Sequence, residues 1–147
     1  MTRIEFHTHV PDKLDYSCRL LRKAYLSGAR VAVIAEPESL AALDKLLWKF
    51  SPTEFVPHCR AGADAASLAA SPIVLTRSLA VPACADRQVV LNLGQDAPAG
   101  FESFERLIEV VTLDEDDAAA GRSRWKHYAA SGHAPQLRNR TQPKGRA

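Results

Sequence analysis

The stretch Arg30-Val31-Ala32-Val33-Ile34-Ala35, apolar without a break from Val31 on, narrows the possible architectures of this chain sharply. A strand with one wet face alternates polar and apolar residues. A run without a break is buried on both faces, as strands of parallel sheets are. Such a strand needs helices on either side of it, and its flanks supply them. Before it, Leu14, Cys18, Leu21 and Tyr25 recur at helical spacing; Asp12 can cap that helix and Gly28 ends it. After it, Pro37 suits the first turn of a second helix with the stripe Leu40, Leu43, Leu47 and Phe50. Further short strands are expected at residues 3–6, 73–76, 88–93 and 106–111, with an extended segment at 53–58. Strands alternating with helices imply βαβ units, hence an α/β fold with a mainly parallel sheet covered by helices on both faces. The Ala-, Ser- and Gly-rich residues 59–72 read as a surface loop, and residues 80–87 as a connection.

A chain of 147 residues suits one domain, and its 46% hydrophobic and 24% charged residues are ordinary for a globular protein. The net charge of +2 is too small to imply nucleic-acid binding by bulk electrostatics. No apolar run reaches the length of a membrane span. The start, Met1-Thr2-Arg3-Ile4-Glu5-Phe6, lacks signal-peptide architecture, so a cytoplasmic protein is expected. Cys18, Cys59 and Cys84 are scattered and indicate neither a disulfide framework nor a zinc site. Beyond Gly132 the hydrophobic pattern stops. Pro135, Pro143, Gly145 and several basic residues predict a flexible basic tail over residues 134–147.

Catalytic chemistry is thinly represented. His7-Thr8-His9 at the end of the first strand could place two imidazoles on one side to hold a metal, as in metal-dependent hydrolases of the amidohydrolase type. Those enzymes draw further ligands from later strands of a (β/α)8 barrel, for which this chain is short. A small metal-dependent hydrolase using His7 and His9 is the rival to the reading below. Neither GxxxxGK[ST] nor GxGxxG follows the first strand, where Val10-Pro11-Asp12 stands instead, so no phosphate loop is expected. There is no GxSxG nucleophile elbow. His58 and Cys59 are adjacent in an extended segment and would point to opposite faces. No cofactor and no enzymatic activity are expected.

The richest surface chemistry lies in residues 114–132. Asp114, Glu115, Asp116 and Asp117 open a helix where its dipole favours negative charge, and Gly132 stops it. Arg122, Trp125 and Lys126 stand at i, i+3 and i+4 and are therefore neighbours, with Tyr128 on the flank. Two readings stand from the residues alone. The aromatics can dock the helix on the sheet with the cations solvated at its margin. They can also wall a pocket rimmed by Arg122, Arg124 and Lys126, suited to an acidic peptide that ends in an apolar residue. Trp48 stands off its helical stripe near Asp44 and Lys45, either folding over the edge of the core or serving as a partner anchor.

Taken in order, Leu47-Trp48, then Glu54-Phe55-Val56-Pro57-His58, a loop at Ala61-Gly62, and Arg124-Trp125-Lys126-His127-Tyr128 with Gly132 resemble the chi subunit of bacterial DNA polymerase III holoenzyme. The resemblance runs to about residue 133, making residues 1–133 a chi-like domain. It implies a Rossmann-like three-layer α/β/α sandwich without a nucleotide-binding loop, and a non-catalytic adaptor subunit in DNA replication. It implies two protein partners. One is the psi subunit, which links chi to the clamp loader; Trp48, Phe55, Val56 and Pro57 would form that interface. The other is the acidic, Phe-terminated C-terminal tail of single-stranded DNA-binding protein (SSB), taken by Arg122, Trp125 and Lys126. Arg124 is added to that tail site on charge and position. DNA contact would be indirect or weak, and no membrane is involved. In one departure from the family's pattern, Ala118 stands where a basic residue is expected one turn before Arg122.

Overall fold

The computed structural model describes residues 2–49 and 56–140. Seven strands form one open sheet: β1 (Arg3–Val10), β2 (Val31–Ile34), β3 (His58–Arg60), β4 (Ile73–Thr76), β5 (Val89–Asn92), β6 (Arg106–Thr112) and β7 (Gln136–Asn139), in the spatial order β3-β4-β2-β5-β6-β1-β7. Every pairing is parallel. The helices are α1 (Lys13–Leu26), α2 (Pro37–Lys49), α3 (Ala65–Ala70) and α4 (Glu115–Ala130). The α/β class and parallel sheet expected from the apolar runs are therefore present.

Strand alternation divides the interior in two. Val31, Val33, Ile73, Leu75, Leu91, Ile108 and Val110 face α1 and α2, packing on Cys18, Leu21, Leu40, Leu43 and Leu47. Ala32, Val74, Val90, Leu107, Val111, Ile4 and Phe6 face the other way, against Tyr128 of α4 and against Phe101 and Phe104 from a short 3-10 turn and its end. Burial on both faces is why β2, β4 and β5 read as continuous apolar runs.

The helix boundaries follow local chemistry. Asp12 accepts a hydrogen bond from Asp15 N at 3.0 Å, and Asp114 one from Asp117 N at 3.0 Å, each satisfying a free amide of the first turn. Gly28 and Gly132, at φ +85° and +90°, supply the left-handed residue that turns the chain out of α1 and α4.

Three expectations need correction. β1 extends to Val10, past the expected end at residue 6. Residues 59–72 hold more than a loop: Cys59 and Arg60 continue β3, and α3 is capped by Asp64. Buried Arg87 anchors that region, donating to Ser71 O at 2.6 Å and Leu68 O at 3.0 Å. Finally, residues 136–139, expected within a structureless tail, form β7 on the free side of β1. All four are exposed, because an edge strand held by its backbone ladder needs no apolar stripe.

Candidate functional site

α4 approaches β6 closely because Gly121 has no side chain. A Cβ there would lie 2.8 Å from Val111 Cγ2. Gly121, Arg124 and Tyr128 form the buried face of the helix. They cover Glu109, a fully buried carboxylate of β6. Arg124 Nε donates to Glu109 Oε1 at 2.8 Å, Asn92 Nδ2 donates to Oε2 at 2.9 Å, and the Tyr128 hydroxyl donates to Oε2 as well. Arg124 also donates through Nη1 to Gln95 O at 3.0 Å. Burial pushes the Glu109 carboxyl above the ordinary carboxylate range, opposed by the Arg124 charge and the three donors. Burial and the Glu109 charge raise the Tyr128 phenol, so it keeps its proton and donates.

This network corrects one expectation. Arg124 is only 3% exposed and points into the protein, so it does not rim a surface pocket. The helical turn that brings Gly121 onto the sheet carries Arg124 inward with it.

The opposite margin of α4 does form a cleft, of about 540 Å³. Phe6 and Val111 lie at its base, with Ala118, Gly121 and Trp125 on the helix side. Thr8 and His9 of β1, Thr112 and Leu113 at the end of β6, and Leu137 of β7 complete it, and Arg122 and Lys126 stand at its helical rim. Trp125 is half-buried and tilts against Phe6 with ring centroids 5.0 Å apart. Trp125 therefore both docks the helix and walls the cleft. The cleft lies toward the carboxyl ends of β1 and β6, where ligands of open α/β sheets generally bind.

Leu113, Leu137, Thr8 and His9 were not singled out as lining residues from the sequence. Leu113 and Leu137 are exposed by 62% and 61%. A lone leucine in a basic tail was the available signal, and it carried no period to weigh it by.

Of the second group of residues, Trp48 is exposed by 63% on α2, its ring edge-on to His58 at 5.4 Å. Leu46 is also partly exposed there. Pro57 is half-buried. Phe55 lies outside the described residues. Val56 is fully buried in the α1/α2 core, which corrects its assignment to an outer surface. His58 Nδ1 donates to Val56 O at 2.7 Å and its Nε2 lies 2.8 Å from Asp44 Oδ1, fastening this segment under α2.

The two strand histidines part company. The backbone at His9 is left-handed (φ 61°), and the register shifts between His7 and Val10. His9 consequently lines the cleft on the α4 side, while His7 faces α1, held by the Tyr16 hydroxyl and lying 3.4 Å from Glu5. The expected placement of both imidazoles on one side is corrected. Among the described residues, no group of three or more His, Cys, Asp or Glu side chains converges as a metal site. Burial pushes the Cys18 thiol up to about 11, far from a reactive thiolate. No helix of the described residues is long and apolar enough to cross a membrane.

Comparison with known proteins gives concordant matches. The family described as "DNA polymerase III chi subunit, HolC" matches residues 1–136. The DNA polymerase III subunit chi of Pseudomonas aeruginosa (strain PAO1) is 30% identical over 142 residues, covering 92% of this chain and 95% of the relative. The protein of the same name from Haemophilus influenzae (strain Rd) is 30% identical over 119 residues, covering 80% and 81%.

Proposed function

We propose a function from one premise: this chain belongs to the DNA polymerase III chi subunit family. Membership makes it an accessory subunit of a replication complex. The finer reading is a cytoplasmic adaptor that performs no reaction of its own. It takes the acidic C-terminal tail of SSB in the cleft beside α4 and reaches the clamp loader through a psi subunit.

The observation that carries this reading is the cleft itself. Its base is aromatic and aliphatic, and Arg122 and Lys126 stand together at its helical rim. A peptide ending in Phe would place its ring on Phe6, Val111 and Trp125. Full burial of such a ring is worth about 1.5–3 kcal/mol. Its terminal carboxylate and the acids before it would meet the two cations. A short epitope of this kind binds in the micromolar range, about −8 kcal/mol, and weakens with added salt.

A second observation supports an adaptor with two separate surfaces. α4 packs on β6, whereas α2 packs on β3 and β4 at the other end of the sheet and on its other face. Trp48 and Pro57 thus lie far from the cleft and suit a different partner, psi.

Calorimetry with a synthetic SSB tail peptide tests the assignment. Arg122→Glu is expected to weaken binding by at least about tenfold, or 1.4 kcal/mol, while Trp48→Ala keeps tail binding and loses psi. Wild-type affinity in Arg122→Glu would show that the tail binds elsewhere.

A further inference from the structure

The sheet face turned away from the cleft carries a cluster of cations that the adaptor reading does not use. Residues 5 and 7 of β1 point toward α1, since His7 meets Tyr16 there. Register and alternation bring Arg106, Arg138 and Arg140 to the same face. Arg106 pairs with Arg3 across β1/β6, Arg138 pairs with His7 across β1/β7, and Arg140 follows two residues on, its N donating to Thr8 O at 2.8 Å.

Among the described residues, the ion pairs of Arg3, Arg106 and Arg138 run to a single carboxylate, Glu5. Glu5 is 3% exposed; Arg106 Nη2 donates to it at 2.8 Å, Arg3 Nε lies at 3.4 Å and Arg138 Nη2 at 3.8 Å. One negative charge cannot neutralise three guanidiniums. Arg106 Nε is buried and has no hydrogen-bond partner among the described residues. Arg106 and Arg140 also edge a cavity of about 300 Å³ between α1 and the sheet, with Lys23 at its margin and an apolar interior of Leu20, Val89 and Ile108. Glu105, which shares the lining of an adjoining cleft with Arg3 and Arg106, is exposed.

We propose that this face binds the phosphates of a single-stranded nucleic acid. The cations form a stripe across β6, β1 and β7, strands about 4.8 Å apart, instead of a single point. A phosphodiester backbone follows such a stripe, each planar guanidinium donating from its fork to a phosphate. The apolar cavity beside the stripe offers one place for a base to leave water. The proposal rests on the adaptor reading in one respect: that reading brings the chain to single strands. On this account the subunit touches the strand as well as the protein that coats it.

The test is fluorescence anisotropy of a labelled oligothymidine strand with the full chain at low salt. The wild type is expected to bind, with affinity falling linearly in log salt. Arg138→Gln/Arg140→Gln should weaken binding by about tenfold and reduce the salt slope by about 1.4, at roughly 0.7 per phosphate contact. Unchanged binding in that variant, or loss confined to Lys144→Gln/Arg146→Gln, would overturn the proposal. So would an oligoglutamate peptide that displaces the strand at equal charge concentration, because the face would then be built for acidic protein. SSB-tail affinity measured on the same variants separates the two readings. Arg138→Gln/Arg140→Gln leaves the tail bound, and Arg122→Glu leaves the strand bound.

Discussion

Arg122 and Arg124 are two residues apart on one helix and have opposite fates. Arg122 is exposed at the cleft rim, while Arg124 is enclosed with Glu109, Tyr128 and Asn92. The rotation of about 200° between them on an α-helix accounts for this once Gly121 has fixed which side meets the sheet. A buried ion pair is poor evidence of net stability, but breaking one strands a charge inside the protein. Arg124→Ala leaves Glu109 without its cation and is expected to cost about 3–5 kcal/mol, read as a lower denaturant midpoint. Arg124→Met/Glu109→Leu, which removes both charges, should recover much of that loss. If Arg124→Ala unfolded like the wild type, the buried pair would not be what fixes α4.

At the scale of elements, α4 and β6 form the joint on which the cleft depends. Gly121→Ala puts a methyl group 2.8 Å from Val111 Cγ2, in a buried strand that cannot easily retreat. Overpacking of this kind costs about 1–3 kcal/mol. The variant should melt earlier and bind the tail peptide more weakly, since a displaced α4 changes the distance from Trp125 to Phe6. Equal melting temperatures would mean the joint has more slack than its geometry shows.

How far these elements could be read from sequence depended on what holds each one. The central strands announced themselves because burial on both faces forces apolar runs, and α1 and α4 because caps and terminal glycines carry local signals. β7 had no such signal. Its ladder to β1 is made by the backbone, and Gln136, Arg138 and Asn139 say nothing about it. α3 was hidden in a stretch of small residues fastened from a distance by Arg87. Within the cleft, Arg122, Trp125 and Lys126 were legible as neighbours at i, i+3 and i+4. The inward turn of Arg124 and the burial of Val56 were not, because both depend on which face the tertiary contact selects. The lining from Thr8, His9 and Leu137 comes from strands distant in sequence, and no local pattern encodes that meeting.

The whole molecule is a parallel sheet with its two candidate docking surfaces at opposite ends and on opposite faces. The cleft sits by β6, β1 and β7, and Trp48 on the α2 flank by β3 and β4. Separate surfaces on one sheet would let one partner stay bound while the other exchanges, which is what the proposed adaptor function requires. The chain holds two tryptophans, one at each surface, so each surface carries its own reporter. Titrating the isotope-labelled protein with the SSB tail peptide and following the two indole N–H resonances locates the peptide in a single experiment. Binding in the cleft will shift the Trp125 signal to saturation, together with the amides of Thr8, Leu113 and Leu137, while Trp48 stays in place. Movement of Trp48 with Trp125 unperturbed would contradict it.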